Sequence, residues 1–446
     1  MSDWLTASIS RLTRALRGDE LPLPDYLGLL ERRMKERDAQ VRAFLDEPAR
    51  FDRLRRESDA LLRRYPASEQ RPPLFGVAVG VKDIFHVDGF PTRAGSRLPP
   101  EVLAGPQAEC VGRLMQAGAL ILGKTVTTEF AYFAPGPTRN PRRLEHTPGG
   151  SSSGSAAAVA AGLAPLAVGT QTIGSVIRPA AFCGVVGFKP TFGRVSTHGV
   201  IPLAPSLDHV GWFAADVAGA ESAARVLCRD WKPAPAGRLP RLGVPDGPYL
   251  DRADESARAA LESAAEALSR AGYLVRRVPL MPDFDEIARR HQTILAAEAA
   301  RVHAEWFSAH AAAYHPRTSE LLVRGQAVDD DRLRESLAEQ AKFRLSLLET
   351  MDSQGIDAWI SPSAVGPAPR GLDSTGDPVM NLPWTQAGMP ALTVPCGADD
   401  QGLPLGLQLV ARAESDESLL LWGTAVETLL REAMLVAASR SGSAVG

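Results

Sequence analysis

Hydrophobic residues follow two alternating patterns along this chain. Short apolar runs, broken by glycine and proline, are typical of buried strands. Longer segments carry apolar residues three or four positions apart, as amphipathic helices do. The apolar runs predict strands at Gly76–Asp83, Ala119–Leu122, Leu163–Gly169, Tyr273–Pro279, Asp357–Ser361, Ala391–Pro395 and Leu405–Val410.

The helical spacing predicts helices between these strands and before the first of them. Near the N-terminus, Trp4, Leu5, Ile9, Leu12 and Leu16 recur at helical intervals. Further helices are predicted at Tyr26–Leu45, Ala156–Ala161, Glu255–Ala271, Phe284–Trp306, Asp331–Met351 and Glu417–Arg431. The alternation predicts an α/β fold, in which a mixed central β-sheet is covered by helices on both faces.

The domain organisation follows from the same pattern. Residues 1–70 are predicted to form N-terminal helices that pack on the body, and residues 71–446 to form a single α/β domain. The chain has neither a repeat of solenoid length nor a long linker. Its weakest point is the proline- and alanine-rich stretch at residues 233–237, where a subdomain boundary would fall.

Composition and charge exclude several classes of function. The 446 residues are 45% apolar and 23% charged, which is ordinary for a globular protein. A net charge of −3 gives no electrostatic basis for binding nucleic acid or an anionic membrane. The N-terminus is too charged for a signal peptide. No apolar stretch approaches the roughly 18 residues that a membrane-spanning helix needs.

The cysteines add a prediction about the cellular compartment. Cys110, Cys183, Cys228 and Cys396 lie far apart and form no CxxC pair. This spacing fits reduced thiols in a cytoplasmic protein better than a disulfide framework or a zinc site.

The most unusual segment is Gly149–Ser155, which consists of glycine and serine alone. Such a composition is typical of a flexible linker. However, the alanine-rich run that begins at Ala156 predicts a tightly packed helix, and serines are good N-cap residues. The segment is therefore interpreted as an ordered loop that leads into a buried helix.

Two formal motif matches are judged accidental. Gly118–Thr125 fits the phosphate-loop pattern GxxxxGK[ST], but its variable positions are the apolar residues of a strand and cannot cradle a phosphate. Gly150, Ser152 and Gly154 fit the GxSxG nucleophile elbow, which requires a strand directly before the serine. Here the preceding residues 140–148 are predicted to be loop.

Two polar residues at predicted strand ends are candidates for chemistry. Lys82 follows a continuous apolar run, where burial would lower the lysine pKa and make a neutral base available. A solvent-facing lysine is the alternative. Ser175 ends the hydroxyl-rich segment Thr170–Ser175, whose free N–H groups could form an oxyanion hole, although a turn serine would look the same.

Together, Lys82, Ser151 and Ser175 stand in contexts that resemble the amidase signature family. The resemblance is strong from Gly76 to Val217 and thinner from there to the C-terminus. It implies the amidase signature fold. The matching segments are Val81–Asp83, Gly123–Thr125, Glu129–Ala131, Gly149–Ala160, Gly169–Ala180, Phe182–Thr191, Gly193–Ser196, Gly388–Ala391 and Leu403–Gln408.

The resemblance implies a Ser–cis-Ser–Lys triad. Ser175 would be the nucleophile that accepts the acyl group, Ser151 a bridging serine on a cis peptide bond, and Lys82 the neutral base. The backbone N–H groups of Thr172, Ile173, Gly174 and Ser175 would form the oxyanion hole. The residues with supporting roles would be Gly150, Gln171 and Ser152, of which Ser152 would hydrogen-bond Lys82. Neither metal nor cofactor is implied.

The chain departs from the family pattern beside the nucleophile. Ile173 replaces a common glycine, and Gln171 stands where an acidic residue is common. Arg178 lies three residues after the nucleophile instead of two, as in the malonamidase subgroup, where this arginine can meet a substrate carboxylate. A structural role, with Arg178 bonded to backbone carbonyls, is the alternative. Tyr132, Phe133 and Trp384 are predicted to line the acyl pocket, although aromatic residues are more often core.

The resemblance implies an amidohydrolase that cleaves a small amide, or a related carbamate or anilide, with no nucleic-acid or membrane partner. One alternative is the glutaminase component of a tRNA-dependent amidotransferase, which works in a complex. Another is a non-catalytic scaffold, which the intact triad positions disfavour. A homodimer is an open possibility, since the N-terminal apolar stripe could form a dimer contact.

Overall fold

A computed structural model describes residues 3–235 and 237–442 of the chain. These residues form a sheet of ten strands with the order β2-β1-β3-β5-β4-β9-β10-β8-β6-β7. The strands are β1 (Ala78–Lys82), β2 (Leu120–Thr125), β3 (Leu166–Gln171), β4 (Val186–Lys189), β5 (His209–Ala214), β6 (Leu242–Asp246), β7 (Val275–Pro279), β8 (Ala358–Pro362), β9 (Ala391–Ala398) and β10 (Pro404–Ala411).

The sheet is parallel at its two ends and antiparallel in the middle. Strand β1 pairs in parallel with β2 and β3, and β6 pairs in parallel with β7 and β8. Between them, β3, β5, β4, β9, β10 and β8 are joined by antiparallel pairs. The predicted α/β class with a mixed sheet is confirmed.

Helices cover this sheet. They are α1 (Ile9–Arg17), α2 (Leu23–Val41), α3 (Arg50–Arg64), α4 (Glu109–Gln116), α5 (Ser153–Ala160), α6 (Ile177–Cys183), α7 (Val217–Leu227), α8 (Glu255–Arg270), α9 (Phe284–Val302), α10 (Ala304–His310), α11 (Pro316–Gln326), α12 (Asp330–Gln354), α13 (Leu382–Gln386) and α14 (Asp416–Gly442). In the described part of the chain, no helix is both long and apolar enough to cross a membrane.

Neighbouring residues of β9 show that helices lie on both faces of the sheet. An added Cβ at Gly423 of α14 would come within 2.2 Å of the Leu392 side chain. At Gly406 of β10, an added Cβ would instead meet both Thr393 and Ala181 of α6. Because consecutive strand residues point to opposite faces, α14 and α6 cover opposite faces.

Several predicted element boundaries need correction. The helix predicted at Tyr26–Leu45 ends at Val41, because Arg42 adopts a left-handed conformation with φ 56°. Helix α3 was not predicted. The helix predicted to reach Trp306 breaks at His303, a buried residue whose Nδ1 lies 3.0 Å from the Tyr314 hydroxyl.

The N-terminal helices are tied to the rest of the chain. Arg53 of α3 donates to the carbonyl of Ile121 in β2, and Arg71 donates to the carbonyls of Leu16 and Arg17. The division at residue 70 and the boundary at residues 233–237 stay predictions, and Ala236 lies outside the described residues.

The parallel pairing of β1 with β3 positions the candidate site. The register aligns Val81 of β1 with Val168 of β3, so the carboxyl ends of both strands meet at one edge of the sheet. Lys82 is the last residue of β1, and the chain leaves β3 after Gln171. Ligand sites of α/β sheets commonly form at such an edge.

Candidate active site

Lys82, Ser151 and Ser175 come together at this sheet edge. Lys82 Nζ donates hydrogen bonds to Ser151 Oγ (2.7 Å) and Thr170 Oγ1 (2.8 Å). Ser151 lies in the loop before α5, and Ser175 in the turn between β3 and α6. The backbone N–H of Ser151 donates to Ser175 Oγ at 3.1 Å. Residues far apart in sequence are thereby linked in one hydrogen-bonded series.

The environment of Lys82 favours a neutral amine. Its side chain is completely buried. Burial lowers the pKa of Lys82 well below its usual value, and the charge of Asp208 opposes this shift. A neutral amine can accept a proton, so Lys82 has the electrostatic setting of a general base.

The two serine hydroxyls are not hydrogen-bonded to each other in the described residues, since Ser175 Oγ accepts from the Ser151 backbone instead. Both serines nevertheless line the same small cavity. In unliganded active sites such contacts are often loose and tighten once substrate binds.

The peptide bond before Ser151 is trans, as are all peptide bonds of the described residues, so the expected cis bond is wrong for this structure. Glycines make the turn instead, with φ 80° at Gly149 and 62° at Gly150. An added Cβ at Gly150 would come within 2.6 Å of Pro179 and 3.2 Å of Ser175 Cα. Glycine therefore allows the backbone of Ser151 to approach the nucleophile.

The turn after β3 presents unused backbone donors. Within the described residues, no hydrogen bond uses the N–H of Thr172, Ile173, Gly174 or Ser175 as its donor. Their carbonyls are held away: His291 Nε2 lies 3.1 Å from the Thr172 carbonyl, and Thr385 Oγ1 donates to the Ile173 carbonyl at 2.6 Å. Free N–H groups beside a nucleophile can bind an oxyanion.

Gly174 permits the close packing of this turn. An added Cβ would come within 2.3 Å of Asn381 Oδ1, so a larger residue would displace the turn. Ile173 does not need such space, because its buried side chain forms part of the cavity wall.

Ser152 and Gln171 support the site in ways that the sequence did not indicate. The predicted bond from Ser152 to Lys82 is wrong: Ser152 Oγ donates to the Thr170 carbonyl (3.1 Å) and accepts from the Thr170 N–H (3.2 Å). Ser152 also makes no side-chain capping bond to α5. It therefore acts on Lys82 only through Thr170.

Gln171 fixes the start of α6. Its Oε1 accepts from the N–H groups of Val176 (2.8 Å) and Ile177 (3.0 Å), while its Nε2 donates to Thr385 Oγ1 (2.9 Å). These bonds hold the segment that follows Ser175.

The cavity beside Ser175 has a volume of about 10 Å³, about what one water molecule needs. Substrate binding must therefore move part of its wall. It is lined by Ala131, Tyr132, Phe133, Ser151, Thr172, Ile173, Ser175, Arg178, Leu203, Thr375 and Pro378.

Arg178 is the charged residue of this lining. Only 1% of its surface is exposed, and its Nη2 donates to Thr375 Oγ1 at 3.4 Å. Its Nε and Nη1 have no hydrogen-bond partner in the described residues. Burial lowers the pKa of Arg178 to about 10, opposed by Asp377, so the guanidinium is charged at neutral pH. Unsatisfied buried donors of this kind require an explanation.

Trp384 does not line the cavity, which corrects that prediction. Its indole N–H donates to the Tyr249 hydroxyl at 2.9 Å, and its ring stacks on Trp359 at a centroid distance of 6.4 Å. Both interactions are satisfied inside the core, and Trp384 is completely buried.

Four residues of the site were missed. Thr170 stood in the recognised hydroxyl-rich segment and could have been found there. The others, Asp208, His291 and Thr385, lie on distant segments with no local signal. Only folding brings them to the turn at residues 172–175.

The family comparison agrees with the site. The amidase family matches residues 29–420, nearly the whole chain. A glutamyl-tRNA(Gln) amidotransferase subunit from Acidobacterium capsulatum is 33% identical over 461 residues, which cover 92% of this chain and 95% of the relative. The same subunit from Roseiflexus castenholzii is 34% identical over 442 residues, with 87% and 89% covered.

Solved structures give the same result. A crystal structure of an amidase matches with a TM-score of 0.86 and 32% identity, over 95% of this chain and 99% of that chain. The native peptide amidase from Stenotrophomonas maltophilia matches with a TM-score of 0.80 and 29% identity, over 95% and 97%. The chain therefore belongs to the amidase family, the amidase signature enzymes, and acts on amide C–N bonds.

Proposed function

We propose that this enzyme hydrolyses a small amide, or a related carbamate or anilide, through a covalent acyl-enzyme on Ser175. The observation that carries the proposal is the buried Lys82, bonded to Ser151 Oγ at 2.7 Å, while Ser151 N–H donates to Ser175 Oγ. Neither a metal nor a cofactor takes part in the proposed steps.

In the acylation step, Ser175 Oγ attacks the amide carbonyl carbon. Its proton passes to Ser151 Oγ, whose own proton passes to Lys82 Nζ. The carbonyl oxygen becomes an oxyanion and is held by the free N–H groups of the turn at residues 172–175. The C–N bond then breaks as the proton returns from Lys82 through Ser151 to the leaving nitrogen.

In the deacylation step, water repeats the sequence. It attacks the ester carbon and loses its proton through Ser151 to Lys82. The bond to Ser175 Oγ breaks, and the proton returns to that oxygen. The products are a carboxylic acid and an amine or ammonia, and Lys82 is neutral again for the next turnover.

Arg178 supports a substrate that carries an anionic group. Its unpartnered Nε and Nη1 would donate to a carboxylate on the acyl side. None of the residues that line the cavity in the described structure has an acidic side chain. The α-ammonium of glutamine would therefore be buried there without a partner, at a high free-energy cost.

Tyr132 and Phe133 are proposed to form the entrance. They line the inner cavity and also an outer groove of about 570 Å³ against α11. Their rings pack edge to face at 4.8 Å. Because the inner cavity is small, movement of these rings would connect it to the groove and admit substrate.

The alternative is the glutaminase component of a tRNA-dependent amidotransferase. It is favoured by the two amidotransferase relatives, which are 33% and 34% identical. In that case the enzyme would work in a complex and pass ammonia to another chain. The acid-free cavity lining supports the independent hydrolase instead.

A matched pair of substrates tests the proposal. Glutaramate and L-glutamine differ only by the α-ammonium group, so we expect the purified chain, without ATP or tRNA, to release ammonia faster from glutaramate. Aliphatic amides, anilides and carbamates complete the assay. Faster turnover of glutamine, or turnover only with tRNA and further subunits, would favour the amidotransferase.

The Arg178→Gln variant tests the role of the guanidinium. We expect KM for an amide with a terminal carboxylate, such as succinamate, to rise about 10- to 100-fold, the worth of a lost charged hydrogen bond. For neutral butyramide, KM should change little. Steady-state kinetics with both amides measure this difference, and an equal loss for both would indicate a structural role.

Two further predictions belong with this function. The four free cysteines fit the proposed cytoplasmic location. A homodimer is also proposed, and the molar mass in solution tests it.

A further inference from the structure

We propose that Asp208 is a positioning residue of this active site, which holds the oxyanion turn through Thr172 and stabilises the ammonium form of Lys82 during acylation. The inference rests on the proposed function. Asp208 lies in the loop that leads into β5, outside the segments that carry the triad.

Hydrogen bonds connect the Asp208 carboxylate to the turn. Its Oδ1 accepts from Thr172 Oγ1 at 2.6 Å. Its Oδ2 accepts from the backbone N–H groups of Leu203 (2.8 Å) and Ala204 (3.0 Å). Thr172 is the first residue of the oxyanion turn, so one carboxylate joins this turn to the loop that supplies Leu203 to the cavity wall.

Asp208 has no ion-pair partner in the described residues. It lines a cavity of about 40 Å³ together with Thr170 and Thr172. Thr170 Oγ1 accepts a hydrogen bond from Lys82. The carboxylate and the first neighbour of Lys82 therefore face one common space, and the charge of Asp208 acts on Lys82 through it.

The other titratable groups around Asp208 do not supply a positive charge. Glu298 of α9 is acidic and raises the pKa of Asp208, which desolvation brings to about 6. His291 of α9 and the adjacent His209 are buried, and burial lowers the pKa of both, to about 3 for His291. At neutral pH, Asp208 is thus mainly ionised and Lys82 is the cation that forms beside it.

This arrangement matters when Lys82 takes up the proton. An ammonium ion in a buried site is costly, and a nearby carboxylate reduces that cost. Asp208 raises the pKa of Lys82, so removing its charge lowers that pKa further. Lys82 then becomes a weaker base, and the pH at which it is half-protonated falls.

The test compares Asp208→Asn, which removes the charge, with Thr172→Val, which removes the hydrogen bond and keeps the charge. The readout is the rate of Ser175 labelling by phenylmethanesulfonyl fluoride, followed by mass spectrometry from acid to alkaline pH. Oγ attacks sulfur, fluoride leaves, and the proton passes to Lys82, so no amide substrate is needed. Thermal unfolding of each variant confirms its fold.

We expect both variants to be labelled about 10- to 100-fold more slowly at neutral pH. In Asp208→Asn the acid limb should also move to lower pH, whereas in Thr172→Val it should stay in place. An unmoved or raised acid limb in a folded Asp208→Asn protein would overturn the proposal. If that variant unfolds, wild-type labelling of Thr172→Val would overturn it.

The same experiment separates the two proposals. A wild-type protein that neither labels at Ser175 nor hydrolyses an amide contradicts the proposed function itself. A wild-type protein that labels, combined with an Asp208→Asn profile like its own, contradicts the role of Asp208 alone.

Discussion

The Ser175→Ala variant is expected to lose turnover by roughly 10⁴- to 10⁶-fold, because the atom that forms the acyl-enzyme is removed. The fold should be unaffected, since Ser175 Oγ accepts one hydrogen bond, from the Ser151 backbone. Its loss costs about 1 kcal/mol of stability. Amine release at saturating substrate and thermal unfolding measure the two effects.

A matched control lies in the same glycine- and serine-rich loop. Ser153 is buried, and its Oγ has no hydrogen-bond partner in the described structure. Ser153→Ala should therefore retain wild-type turnover. Substantial activity in Ser175→Ala, or an acyl group trapped on another residue, would show that the nucleophile is misassigned.

The Lys82→Met variant is expected to lose about 10²- to 10⁴-fold in kcat, the usual contribution of a general base. Methionine nearly fills the volume of the lysine and cannot take a proton. High pH should restore only part of the loss, because hydroxide replaces the base but not its position. The profile of kcat/KM against pH is the measurement.

The direction of the pH dependence follows from the lysine environment. Lys82 must be neutral to act as base, so activity falls as the pH drops through its pKa. Because burial lowers the pKa of Lys82, this acid limb should lie far below the titration range of an exposed lysine. The limb should disappear in Lys82→Met, and a profile like that of the wild type would exclude Lys82 as the base.

Lys189 provides the control for removing a buried lysine. It is completely buried, burial lowers its pKa to about 7, and its Nζ donates to the Met389 and Pro190 carbonyls. It does not line the cavity. Lys189→Met should lower the unfolding temperature without changing the pH profile, which separates damage to the fold from loss of the base.

The predictions that came from local patterns agree best with the structure. A continuous apolar run ending in lysine predicted β1, and the structure places Lys82 at its last position. The alanine-rich run predicted the buried helix α5. Such patterns depend on burial and backbone preference within one segment, which neighbouring residues report directly.

The predictions that required contacts between distant segments were less accurate. Ser152 was expected to bond Lys82 but bonds the Thr170 backbone, because the register of β1 and β3 places Thr170 between them. Trp384 was expected in the pocket but packs on Tyr249 and Trp359. Both outcomes depend on how strands and helices meet in space.

The sequence by itself determined the α/β class, the family resemblance and the residue types of the candidate triad, since each is recorded in local pattern and spacing. Only the tertiary structure decided that Arg178 faces the cavity and that the bond before Ser151 is trans. It also brought Asp208 to Thr172. The physical reason is that charge, burial and hydrogen bonding at the site arise from segments that meet only when the sheet forms.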